Sequence, residues 1–115
     1  MNVTEVQRLT IGIEEEFQIV DGDGQLKSHG ETLIGAARPY LEERVKPEMM
    51  QSVVEIGTRI CADVGEARKE IANARGTLAT LLKRDGLRLV SAGTHPFSHW
   101  QEQLVTEHER YKVLE

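Results

Sequence analysis

Thr10-Ile-Gly-Ile-Glu-Glu-Glu-Phe-Gln-Ile-Val-Asp21 decides how the start of this 115-residue chain folds. Ile11, Ile13, Phe17 and Ile19 alternate with polar residues, the period of a strand with one buried face. Asp21-Gly-Asp-Gly24 ends the strand in a turn. Side chains two apart on a strand point the same way, so Glu14 and Glu16 project together, away from Ile13 and Phe17. Two carboxylates at that spacing repel each other unless a positive charge sits between them. A divalent cation is the natural neutraliser, and oxygen donors select magnesium or manganese. The competing reading is an edge strand whose glutamates face water. Glu15 breaks the pattern, because it shares the parity of the apolar set and so requires a buried partner or a strand irregularity.

Downstream, His29 to Val45 reads as a helix. Ser28 is placed to cap it, and Leu33, Ala36, Ala37, Tyr40 and Leu41 recur at helical spacing. Pro39 weakens that helix or kinks it. Gln51 to Ile60 is rich in β-branched residues and reads as a second strand. Asp63-x-x-Glu66 is a capping box, opening a long helix to about Arg84 with Val64, Ala67, Ile71, Ala74, Leu78 and Leu81 on one stripe. Gly86 stops it. Leu87 to Ala92 is a third short strand, Gly93-Thr-His-Pro96 a turn, and the segment from Trp100 weakly helical. The order β, α, β, α, β permits parallel or antiparallel pairing.

Glu55, in the second strand, shares parity with Gln51, Val53, Gly57 and Arg59. If both strands lie in one sheet, it joins Glu14 and Glu16 on one face. Its rival role is that of a solvent-facing residue. Arg59 could neutralise Glu55 or touch a phosphate or carboxylate, although a structural salt bridge is the plainer role. His95 stands at a strand end and could serve as a hydrogen-bonding or acid–base group, or belong to an ordinary turn. Neither a Walker sequence nor Gly-x-Gly-x-x-Gly occurs.

Composition narrows the classes. The net charge is −5, from 14 basic and 19 acidic residues, with no basic run of the kind that grips nucleic acid. Cys61 is the single cysteine, which excludes an intrachain disulfide and a multi-cysteine zinc site. Met1 to Thr10 lacks the apolar centre of a signal peptide, and no apolar run is long enough to span a bilayer. These features point to a cytoplasmic protein with no membrane or nucleic-acid partner.

Three segments together resemble one family: Thr10-Ile-Gly-Ile-Glu-Glu-Glu-Phe17, Gln51-Ser-Val-Val-Glu-Ile-Gly-Thr-Arg59 and Ser91-Ala-Gly-Thr-His-Pro-Phe97. The chain is similar to the carboxylate–amine ligase group of the glutamate–cysteine ligase family, and Arg110-Tyr111 falls where that group carries an Arg-Tyr pair. The resemblance implies an α+β fold, part of a glutamine synthetase-type catalytic domain, with a mainly antiparallel sheet and flanking helices. It implies ATP as co-substrate, Mg2+ or Mn2+ as cofactor, and small amino-acid-like carboxylate and amine substrates joined through an acyl phosphate. Glu14, Glu16 and Glu55 take the metal-ligand positions, and Thr94 and His95 fall in a loop at the substrate end. Family members run well beyond 115 residues, so residues 1–115 are expected to be the N-terminal portion of one domain, with 1–9 flexible and the isolated chain inactive. Leu114-Glu115 fits a native terminus or a cloning remnant equally. The alternative is a non-catalytic interaction module that self-associates through an unpaired sheet edge, a homo-oligomer.

Overall fold

A computed structural model describes residues 9–107. Arg110-Tyr111, Leu114-Glu115 and nearly all of the segment 1–9 therefore lie outside the described residues. The elements in chain order are β1 (Glu14–Val20), α1 (Gly30–Leu41), β2 (Val45–Pro47), β3 (Val53–Gly57), α2 (Val64–Arg84) and β4 (Arg88–Val90). The sheet runs β2-β3-β1-β4, and every pairing is antiparallel. The fold is thus α+β, and the parallel alternative fails. α2 does not carry β3 to a parallel neighbour, because β1 lies between β3 and β4.

Both helices cover one face of the sheet. Phe17 and Ile19 of β1, Val54 and Ile56 of β3, and Val45 of β2 pack against Leu33, Ala37 and Leu41 of α1 and Ala74, Leu78 and Leu82 of α2. The opposite face carries no helix among the described residues. Alternation along β1 and β3 therefore sends apolar side chains to the core and the intervening acids to the open side.

Local chemistry explains most of the boundaries. Asp63 caps α2, its Oδ1 accepting from the Glu66 N–H at 2.8 Å, a contact of the kind worth about 1 kcal/mol. Glu66 reaches back one residue further than in a standard capping box and accepts from the Ala62 N–H at 2.7 Å. At the other end Gly86 takes φ +71°. Its N–H donates to Lys83 O, and Leu87 N–H donates to Leu82 O, which together form a Schellman stop. Gly30 opens α1 because its backbone lies against β3's approach: its N–H donates to Gln51 O at 2.7 Å, and a Cβ there would meet the same oxygen at 2.7 Å.

Several boundaries differ from the sequence reading. The first helix ends at Leu41 rather than Val45, and a 3-10 turn at Glu42–Arg44 leads into β2. Leu41 and Val45, both buried and four residues apart, imitate a continuing helical stripe, but Glu42 at φ +54° breaks the helix between them. Pro39 is accommodated inside α1, close to its end, and His29 rather than Ser28 occupies the cap position, without a side-chain cap bond. The segment from Trp100 is only a 3-10 turn, Trp100–Glu102. Beyond it, Met50 pairs with Val105, and Thr106 N–H donates to Met49 O at 2.8 Å, tying the end of the described chain to the β2–β3 connection.

Candidate functional site

Register builds the site. Glu16 stands directly opposite Glu55, and Glu14 opposite Gly57. With no side chain on Gly57, Glu14 has room to lean diagonally towards Glu55, close enough to raise the Glu55 carboxyl. Lys46 of β2 stands opposite Glu55 on the other side. Glu48, two residues on from Lys46, adds a fourth acid close enough to Glu16 to raise its carboxyl. Glu48 also accepts from the Met49 N–H at 3.0 Å, which holds it in place. The structure thus brings Glu14, Glu16 and Glu55 together as their parity predicts, and adds Glu48.

These acids crowd one another. Partial burial, then the charge and hydrogen bond of Glu48, hold the Glu16 carboxyl above the usual carboxylate range. Partial burial, the Glu14 contact and the more distant Glu48 do the same to Glu55, and Lys46 offsets only part of it. The neighbouring position on this face, Gln18, is 7% exposed, and its Oε1 has no hydrogen-bond partner among the described residues. A face of carboxylates and an amide oxygen short of positive charge suits a hard, oxygen-seeking cation. Among the described residues, no three His, Cys, Asp or Glu side chains close around a point as a ready metal cage. The acids form an open wall, which leaves coordination positions for water or for oxygens of a second ligand.

Glu15 has the partner its parity demands. It points beneath the sheet, where Arg75 of α2 donates Nε–H to Oε1 at 2.8 Å and also bonds Oε2.

Arg59 lies past the end of β3, where strand parity no longer applies. Its guanidinium pairs with Glu42 at 4.0 Å, and its backbone N–H donates to Glu70 at 3.0 Å. It therefore belongs with the helices rather than with Glu55, in the structural role. His95 is also held apart from the acids. Its Nε2 bonds Gly24 O at 2.6 Å, and Nδ1 accepts from the N–H groups of Phe97 and Ser98 at 3.2 and 3.0 Å. That pattern fixes the proton on Nε2 and commits both nitrogens to pinning the 93–98 loop onto the turn after β1. About 13 Å of strand, from Glu16 to Val20, separates this turn from the acidic cluster. Thr94, on the same loop, is exposed.

Glu48 was missed by sequence reasoning because Pro47-Glu-Met-Met has no strand period. The one available signal is its spacing of two from Lys46, which is legible only once β2 is known.

The described residues thus form an α+β unit, an antiparallel sheet with helices on one face and carboxylates gathered on the other. The family model of glutamate-cysteine ligase family 2 (GCS2) matches residues 10–115, and the chain belongs to that family. It is 51% identical over 106 residues to a Chloroflexus aggregans protein named "Putative glutamate--cysteine ligase 2", covering 91% of this chain and 27% of that protein. Proteins of the same name from Sorangium cellulosum and Herpetosiphon aurantiacus are 48% and 50% identical, covering 93% and 89% of this chain but 29% and 27% of their own lengths. The chain therefore spans under a third of the curated relatives it matches. No described helix is long and apolar enough to cross a membrane.

Proposed function

We propose that the open sheet face is the acidic wall of the metal–nucleotide site of an ATP-dependent carboxylate–amine ligase, forming an amide by way of an acyl phosphate. The observation that carries this reading is the convergence of Glu14, Glu16, Glu48 and Glu55 on one face, close enough to raise the carboxyls of Glu16 and Glu55. Membership of the glutamate–cysteine ligase family supports the ligase part of this reading. Magnesium or manganese bound there would neutralise phosphate charge and orient a γ-phosphoryl group for in-line transfer. This chain's own part is to present oxygen donors at fixed register. Glu16 and Glu55 hold the centre of the wall, and Glu14 and Glu48 flank them. Thr94, exposed on the loop that His95 pins, is the group left free to meet a small amino-acid-like substrate at the far end of β1.

A calorimetric titration with Mg2+ or Mn2+ tests this. The chain should bind with a dissociation constant near the millimolar range, as expected of an open site with few fixed ligands. Glu14→Gln, Glu16→Gln and Glu55→Gln combined should abolish the heat. Unchanged binding in that triple variant would contradict the assignment.

A second reading, self-association without catalysis, is favoured by one observation. β4 pairs only with Gln18, Ile19 and Val20, so the Glu14–Phe17 half of β1 has an open edge on that side among the described residues. A stable dimer in sedimentation, with no divalent-ion binding, would support it over the ligase reading.

A further inference from the structure

We propose that Arg75 is a positioning residue that decides which two acids of the Glu14-Glu15-Glu16 triplet face the open side. Its functional weight rests on the metal reading above.

Three glutamates in a row carry no register information of their own. A one-residue slip of a strand moves every side chain to the other face. Here a slip would expose Glu15 alone and drive Glu14 and Glu16 beneath the sheet. The apolar anchors of β1 lie at its far end: Phe17, Ile19 and Val20 are buried, whereas Ile13 remains 39% exposed. Ladder pairing is uneven too. β3 pairs with Glu14 to Gln18, but β4 reaches only Gln18 to Val20, so the acidic half is held from one side. On the β3 side the pairing continues past the acids, with Thr58 N–H donating to Ile13 O at 2.9 Å and Ile11 and Cys61 exchanging bonds at 2.8 Å, so what this end lacks is an anchor beneath its face.

Arg75 is that anchor. Its guanidinium grips both oxygens of Glu15 in a fork, with Nε at 2.8 Å from Oε1. Its Cζ lies 5.8 Å from the centre of the Phe17 ring, on the next residue of the same strand face. The Glu15 side chain is 20% exposed and that of Arg75 52%, so the carboxylate is sheltered under the sheet edge while the guanidinium reaches it from the solvent side. Isolated surface ion pairs contribute little, but a planar two-bond fork on a partly buried carboxylate is the geometry that also fixes direction. Arg75 itself is set by α2, next to Ala74 and one turn before Leu78, both buried against the sheet. The chain of support runs from the core through α2 and Arg75 to Glu15, and from Glu15 to its two outward neighbours. Neither Arg75 nor Glu15 touches the proposed ion.

The test compares Arg75→Gln and Arg75→Lys with wild type in the full chain by residue-resolved amide hydrogen exchange and by Mn2+ titration. Arg75→Gln should speed exchange at Glu14 to Phe17 at least about tenfold, with Ile19 and Leu78 unchanged. Its Mn2+ dissociation constant should rise about tenfold, although no open-face carboxylate has been altered. Arg75→Lys keeps the charge but not the fork, and should recover only part of each effect. Unchanged exchange at Glu14 to Phe17 would overturn the proposal, as would equal loosening of the whole sheet or unchanged Mn2+ affinity in a loosened strand. If the strand loosens locally but wild type binds no Mn2+, the metal reading fails and the register anchor stands.

Discussion

Exchange of the glutamate at the Glu55 position for Gln, in a full-length member of this family, is expected to lower ATP-dependent amide formation about 100-fold or more, with the protein still folded. The size follows from where Glu55 stands. It is opposite Glu16 and close enough to Glu14 and Glu48 for their charges to raise its carboxyl, so it is the common neighbour of the whole wall. Gln keeps the shape and one oxygen but removes the charge that an oxygen-bound cation needs. Steady-state phosphate release across a Mg2+ series is the measurement. The apparent Mg2+ requirement should rise along with the fall in rate. Activity within about twofold of the parent would place Glu55 among solvated surface residues.

Leu78→Ala is expected to be the most damaging single truncation of the fold. Leu78 is fully buried at the middle of α2, in the same cluster as Ile19, Leu33 and Ile56. Removing its side chain forfeits transfer energy and leaves a cavity, together about 3 kcal/mol, within the usual 2–5 for such sites. A small domain has a total of roughly 5–15 kcal/mol to lose from, and the loss should lower Tm by about 12–20 °C. Urea unfolding should show a lower midpoint at an unchanged slope. Thr80→Ala, on the exposed side of the same helix, should change stability by under about 0.5 kcal/mol. Because Arg75 stands one turn from Leu78, the core truncation should also weaken divalent-ion binding in the chain that remains folded.

The elements with a strong local period were legible in the sequence. β1 and β3 alternate, α2 carries a stripe spaced alternately three and four residues apart between a capping acid and a stop glycine, and the parity of Glu14, Glu16 and Glu55 survives into the sheet. What was hidden depends on pairing at a distance. β2 spans three residues including Pro47, too few to show a period, and without it Glu48 has no face. The overrun of α1 came from Val45, apolar at helical spacing yet belonging to a strand. The oddity of Glu15 was legible as a missing partner, but the identity of that partner was not. Arg75 sits on a half-exposed helix face and is 60 residues away in sequence. His95 was readable as an ordinary turn residue, and its hydrogen bonds to the loop backbone agree with that.

In the metal-site reading, these acids are kept close at a cost in stability because a cation compensates. Glu16 and Glu55 have carboxyls raised in the folded chain, so the folded state holds their protons more tightly than the unfolded chain does. Stability from this source is full below the ordinary carboxylate range, falls as pH rises through the folded values, and is absent at neutral pH. Thermal unfolding at pH 7, with and without Mn2+, of wild type and of Glu16→Gln combined with Glu55→Gln therefore tests the account most directly. Without metal the variant should melt about 2–4 °C higher, the relief expected from removing roughly 0.5 kcal/mol of exposed like-charge repulsion. With Mn2+ wild type should rise as its site fills, and the variant should not move. A variant that melts lower without metal, or that gains as much from Mn2+ as wild type does, would contradict the account.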